Sequence, residues 1–246
     1  MAVLMAALSR QFSDEHKGIA VSIISTDSGS GIAKLFDKGA DIAAASRDLT
    51  EEEDRLAESR GLKLKKVMIA RDAIAVIVNP QNQLTALTIP DLRGIYLGEK
   101  TNWKDFGGPI RLIKVFAREA ESGTSRYFKE HVLEKRNYPS TDEVLRSQDE
   151  VIKRVAADPS AIGYVGMVES KQAGSKIKVV PLKLMNSSSQ AVKPSQETLV
   201  SDYPLGRPLY LIYDAGPGSP TKKFVDFCSS RVAQKIIKEA GFVSVH

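Results

Sequence analysis

Cysteine is nearly absent from this chain: Cys228 is the only one in 246 residues. That excludes intrachain disulfides and thiolate metal clusters. Cys228 sits in the apolar helical run Phe224, Val225, Phe227 and is expected to be a buried small hydrophobe. Histidine is also scarce. His16 lies among charged residues and reads as an exposed helix end, His131 as a helix surface residue, and His246 is the terminus. No HExxH, GxSxG or acidic metal cluster occurs. A serine nucleophile without an evident base is a poor basis for catalysis, so neither an enzyme nor a metal or cofactor is expected. No apolar run reaches membrane-spanning length, so no direct membrane span is expected. Met1 to Leu8 is apolar but too short for an export signal. The formal net charge of +5 mildly favours anionic ligands and is too small to argue for nucleic acid. The one tight basic cluster, Lys63-Leu64-Lys65-Lys66, reads as a solvated loop or strand edge.

What the chain does have is hydroxyls and arginines at the ends of strand-like runs. In Arg118-Glu119-Ala120-Glu121-Ser122-Gly123-Thr124-Ser125, a permanently charged guanidinium precedes Ser-Gly-Thr and an amphipathic run. Ser122 and Thr124 can donate hydroxyls, Gly123 permits close backbone approach, and a helix starting here would offer unpaired N–H groups to an anion. Arg118 adds a planar fork suited to oxyanions. An ordinary Ser/Thr helix cap beside a surface arginine would read the same way. A second segment, Thr26-Asp27-Ser28-Gly29-Ser30-Gly31, follows the apolar run Ile19 to Ile24 and precedes Ile32, Leu35 and Phe36 at helical spacing. It matches neither a Walker loop nor GxGxxG. A third, Asp41 to Ala45, reads as a buried strand ending in Ser46-Arg47, with Thr50-Glu51-Glu52-Glu53 as a capping box for the next helix. Three strand ends, each delivering a hydroxyl or a guanidinium, suggest a convergent site.

Strand and helix patterns alternate along the chain, which predicts an α/β protein. Helices are expected over Ala2 to Phe12, Ile32 to Lys38, Glu51 to Ser59, Pro90 to Tyr96 and Asp149 to Ala157. A last long helix is expected to start at Ser219-Pro220 and stop at Gly241. Strands are expected over Ile19 to Ile24, Asp41 to Ala45, Val67 to Val78, Ile110 to Phe116, Ile162 to Val165 and Leu209 to Tyr213. Lys183 to Gln196 reads as a surface loop.

Several of these pieces succeed one another in a specific order. The Ser-Gly turn is followed by Gly39-Ala40-Asp41-Ile42-Ala43-Ala44-Ala45-Ser46-Arg47, then by Ala70-Arg71-Asp72-Ala73-Ile74-Ala75-Val76-Ile77-Val78-Asn79-Pro80. Next come Ile95-Tyr96-Leu97-Gly98, Asn102-Trp103, Gly107-Gly108 and the Arg118 segment. Ala161-Ile162-Gly163-Tyr164-Val165 and Tyr203-Pro204-Leu205-Gly206-Arg207-Pro208-Leu209-Tyr210 complete the series. Over nearly its whole length the chain resembles the phosphate-binding proteins of ABC import systems, within the type II periplasmic-binding-protein superfamily.

The resemblance implies two α/β lobes, each a mixed sheet flanked by helices, closing over inorganic phosphate in an interlobe cleft. Residues 1–72 with 212–246 would form one lobe and 73–211 the other, with crossovers near 68–75 and 205–213. Ser28, Ser46, Arg118, Ser122, Gly123 and Thr124 would bind phosphate, with Asp27, Arg47 and Glu119 behind them. The protein would deliver phosphate to the membrane subunits of an ABC permease and work in the periplasm, or tethered outside the membrane. Three departures stand out. The usual opening strand and its hydroxyl-bearing turn are expected to be missing, because Met1 already lies in the following helix. Ser46 stands where several members carry an aspartate that accepts the phosphate proton. Ala120 stands where some members carry an aspartate that orients the arginine, a role that would fall to Glu119 or Glu121. A binder or sensor of another oxyanion such as sulfate, or a protein-interaction module with a degraded site, therefore stays open beside the phosphate reading.

Overall fold

The computed structural model describes residues 1–138, 143–184, 190–216 and 221–245. In chain order the elements begin with α1 (Ala2–Glu15), α2 (Ser28–Phe36), β1 (Ile42–Ala45), α3 (Glu51–Ser59) and the long strand β2 (Leu64–Val78). Then follow β3 (Leu87–Thr88), α4 (Ile89–Tyr96), β4 (Lys114–Arg118), α5 (Gly123–His131), β5 (Glu143–Leu145), α6 (Gln148–Ala157), β6 (Ala161–Gly166) and α7 (Met167–Ala173). The remainder are β7 (Lys178–Val179), β8 (Leu182–Lys183), α8 (Thr198–Ser201), β9 (Gly206–Asp214), α9 (Thr221–Cys228), α10 (Arg231–Glu239) and β10 (Val243–Ser244). The chain divides into two compact units, Met1–Arg71 with Arg207–His246, and Asp72–Gly206, so the division falls within β2 and at the start of β9.

In the first unit β1 pairs antiparallel with β9, Ala45 opposite Tyr210, and β10 pairs with β2. The inward residues of β1 are alanines. Their small size lets Ile32, Leu35 and Phe36 of α2 pack close, with Ala57 and Ile212 completing the cluster. Helix α3 starts on the expected capping box, Thr50 and Glu53 bonding reciprocally. Phe12 of α1 meets Phe224 and Phe227 of α9, and His16 stacks on Phe12 at 4.3 Å, which makes it a packed helix end rather than a solvated one. Cys228 is buried, and burial pushes its thiol up to about 12. Lys66 pairs with Asp48 and lies over the Tyr210 ring, while Lys63 and Lys65 of the same cluster are exposed.

In the second unit β2 pairs antiparallel with β6, while β6, β4 and β5 run parallel, a mixed arrangement. Helix α6 lies on β6 through Val151 and Val155, packed with Ile77, Phe116 and Val165. The close approach depends on Gly163: a Cβ there would stand 2.6 Å from Val151 Cγ1 and 3.0 Å from Val155 Cγ2. Overpacking of this kind costs about 1–3 kcal/mol. Gly163→Ala is expected to lose that much in urea unfolding, and an unchanged midpoint would show that the helix can shift freely. Trp103 is buried, its Nε1 donating to the Ser160 carbonyl, so any fluorescence change reports on this unit.

Three expectations from the sequence need correction. Ile19 to Ile24 forms no strand: no described strand pairs with it, and Ile23 and Ile24 are 41% and 56% exposed. Its β-branched composition fits a pleated, half-buried surface, but no such surface is provided there. The run from Ile110 becomes strand only at Lys114, leaving Ile110 and Leu112 exposed. The last helix is two helices, because Ser230 breaks the run and caps α10 through the Ala233 N–H. The proposed start at Ser219-Pro220 lies outside the described residues, as does part of the Lys183 to Gln196 loop.

Candidate functional site

The first set of candidate residues lies at the start of α2 and the end of β1. Asp27 caps α2, its two carboxylate oxygens accepting from the Ser30 N–H at 2.9 Å and the Ser30 hydroxyl at 2.7 Å. The helix therefore starts a turn earlier than the apolar spacing suggested, with Ser28 as its first residue. Ser28 Oγ accepts the Ser46 N–H at 3.3 Å, which ties the turn after β1 to the helix start. Ser28 and Ser46 are both buried, and among the described residues neither hydroxyl proton has an acceptor. Two neighbouring donors thus await an acceptor, beside helix N–H groups that lack intrahelical partners.

Arg47 is directed elsewhere. Its terminal nitrogens reach both Glu53 oxygens at 2.7 Å and the Asp48 carbonyl at 2.7 Å, with 4% of the side chain exposed. Glu53 also accepts the Thr50 N–H, so Arg47 is a charge-matched strut from the Ser46 turn to α3. Burial opposes ionisation of Asp27, but the bonds from Ser30 outweigh it and hold its carboxyl below the ordinary value. Its contribution is fully present above about 3.9, the ordinary aspartate pKa, and is lost as pH falls through the lower folded value. Asp27→Ala is expected to cost about 0.5–2 kcal/mol near neutrality through the lost cap. Acid unfolding of this variant should also lack the portion that Asp27 contributes. A wild-type stability profile in acid would argue against the cap.

The second set lies where β4 turns into α5. Parallel pairing puts Arg118 opposite Leu145, and the guanidinium is anchored on main-chain carbonyls: Nε to Leu145 at 3.2 Å and Nη2 to Arg146 at 2.7 Å. Glu119 instead faces Arg146, its carboxylate 3.6 Å from that residue's Nε, and Glu121 is exposed. Ser122 is the N-cap of α5, its Oγ accepting the Ser125 N–H at 3.4 Å. Ser122, Gly123 and Thr124 are buried at the helix start, where N–H groups and the helix dipole favour an anion.

Behind this turn stands a group that sequence reading passed over. The Tyr164 hydroxyl receives the Arg118 N–H at 3.2 Å and donates to Ser125 Oγ at 3.3 Å, and Ser125 Oγ donates to the Arg118 carbonyl at 3.0 Å. Tyr138 reaches the Tyr164 hydroxyl at 3.0 Å. Burial raises both tyrosine pKa values, so these hydroxyls stay protonated at neutral pH. The available signal was a tyrosine inside the apolar strand Ala161 to Val165, since a buried phenol needs a partner.

The two sets offer hydroxyls, helix N–H groups and one guanidinium. Among the described residues no histidine or carboxylate is bonded to the Ser28, Ser46 or Ser122 hydroxyls. His131 stacks on Tyr127 of its own helix. Among the described residues no group of three or more His, Cys, Asp or Glu could hold a metal ion. These donors suit the binding of a small oxyanion.

An α/β architecture with oxyanion donors at helix starts is shared by several classes of anion-binding proteins, and comparison with known proteins selects among them. A family model described as a PBP superfamily domain matches residues 1–232. The phosphate-binding protein PstS of Borreliella burgdorferi is 31% identical over 226 residues, 87% of this chain and 76% of that protein. PstS of Staphylococcus saprophyticus is 28% identical over 98% of this chain and 76% of its own length. Among solved structures, a Clostridium perfringens ABC transporter substrate-binding protein with bound phosphate superposes with a TM-score of 0.83 at 27% identity, covering 100% of this chain and 96% of that one. The chain belongs to the PBP superfamily and, within it, to the family of the PstS phosphate-binding proteins.

Proposed function

We propose that this chain captures inorganic phosphate as the substrate-binding protein of an ABC importer and hands it to the membrane subunits of a permease. One observation carries the reading: two sets of oxyanion donors, the buried Ser28 with Ser46 and the buried Ser122 to Thr124 beside the half-buried Arg118, occur in a chain of this family. In this reading Ser28 and Ser46 donate hydroxyls, Ser122 and Thr124 donate hydroxyl or main-chain N–H groups, and Gly123 offers its N–H. Arg118 supplies the charge. Asp27 fixes the α2 start, while Arg47 and Glu53 hold the Ser46 turn. Work outside the cytoplasmic membrane, free or tethered, accords with the family, and no described helix is long and apolar enough to cross a membrane.

A second reading, capture of a fully ionised oxyanion such as sulfate, is favoured by one observation. Among the described residues Asp27, the carboxylate beside Ser28, is engaged by Ser30 and so is not offered to the phosphate proton. Calorimetric titration of the chain with phosphate, sulfate and arsenate tests both readings. Phosphate and its isostere arsenate are expected to bind tightly and sulfate weakly. Sulfate binding most tightly would favour the second reading, and no heat from any of the three would remove both.

A further inference from the structure

Beyond the residues expected to touch an anion, the hydroxyls behind Arg118 form a closed hydrogen-bond ring. The Arg118 N–H donates to Tyr164, Tyr164 donates to Ser125, and Ser125 donates back to the Arg118 carbonyl. Both main-chain polar groups of one residue are therefore held by two side chains. Since the single Tyr164 proton goes to Ser125, Tyr138 must be the donor in its bond to Tyr164. Tyr164 and Ser125 are 1% and 3% exposed, so solvent has little access to take over a missing bond. The ring of Tyr164 stacks on Phe128 of α5 at 4.1 Å, which places the hydroxyl independently of the bonds that it makes. Ser125 also donates its N–H to Ser122 Oγ, so the same residue reaches a candidate anion ligand.

We propose that Tyr164, acting with Ser125, is a positioning residue for anion capture: the hydroxyl ring fixes the main chain of Arg118 and hence the aim of its guanidinium, without touching the ligand. The proposal rests on the phosphate reading above. A bidentate contact requires a fork held in plane, and the carbonyls of Leu145 and Arg146 can anchor the guanidinium only if the Arg118 main chain keeps its register against β5. The ring supplies that register at the last residue of β4, where ladder bonding ends.

The test is Tyr164→Phe, which keeps the stacked ring and removes one oxygen. Titrated with inorganic phosphate, this variant should bind about tenfold more weakly than wild type, the scale of one lost buried hydrogen bond. In an Arg118→Lys background there is no planar fork to aim, and the same substitution should cost less than about twofold. An equal factor in both backgrounds would mean that Tyr164 only supports the fold, and no loss in either would also overturn the proposal. Ser125→Ala serves in place of Tyr164→Phe if the latter does not fold. If wild type binds no oxyanion, the functional reading fails, and hydrogen exchange still decides the ring. Tyr164→Phe should speed exchange of the Arg118 amide while the wider core stays protected, whereas unchanged protection would sink the proposal.

Discussion

Replacing Arg118 with alanine is expected to weaken phosphate binding by about 2–5 kcal/mol if the bound anion buries the pair, the range for truncating one partner of a buried charge pair. The argument starts from what holds the side chain. A guanidinium has five N–H donors. Anchoring on the Leu145 and Arg146 carbonyls fixes its plane through Nε and Nη2. Arg47 makes the contrast within the same protein: its terminal nitrogens are taken by both Glu53 oxygens and the Asp48 carbonyl, and no comparable loss of affinity is expected from it. Arg118→Lys should recover part of the loss, because charge is restored without the planar fork. Calorimetry of both variants checks this, and an Arg118→Ala protein with the wild-type dissociation constant would remove Arg118 from the site.

Much of this layout was legible in the sequence because the physics was local. The capping box at Thr50 and Glu53 is a spacing rule of three residues, and it is present in the structure. The alanines of β1 and the apolar run of β6 could be read as buried strands from residue type alone. The Ser122 cap followed from Ser-Gly-Thr before an amphipathic run. What failed depended on partners. Ile19 to Ile24 has the side chains of a strand, yet a strand exists only where another offers its N–H and C=O groups, and β1 pairs only with β9 among the described strands. The roles of the two arginines were likewise invisible locally. Glu53 lies six residues beyond Arg47, whereas the anchors of Arg118 are carbonyls 27 and 28 residues away, brought beside it by parallel pairing with β5. A carbonyl anchor leaves no mark in residue identity, which is why Glu119 was the natural candidate and Leu145 was not.

Placing a carboxylate at position 46 is expected to raise the preference for phosphate over sulfate by at least about tenfold, through loss of sulfate rather than gain of phosphate. Near neutral pH phosphate retains a proton that it can donate, and sulfate has none. A site separates the two with a fixed acceptor that pairs with the phosphate proton and faces sulfate with an unpaired, repelling lone pair. Ser46 is a hydroxyl that can donate to either ion, and its own N–H is already given to Ser28. Asp27 is the nearest carboxylate in sequence to Ser28, but its two oxygens are engaged by Ser30, and Glu119 faces Arg146. With neither of these two carboxylates available, a main-chain carbonyl or the Ser46 hydroxyl oxygen would have to accept, and both are neutral and so weaker discriminators than a charge. Like charges placed together cost several kcal/mol, so Ser46→Asp should nearly abolish sulfate binding. Phosphate should lose less, because its proton can bridge to the new carboxylate. Competition titrations of both proteins at neutral pH decide the matter. Complete rejection of sulfate by the wild type, unchanged in Ser46→Asp, would show that selectivity in this chain does not depend on the charge at position 46.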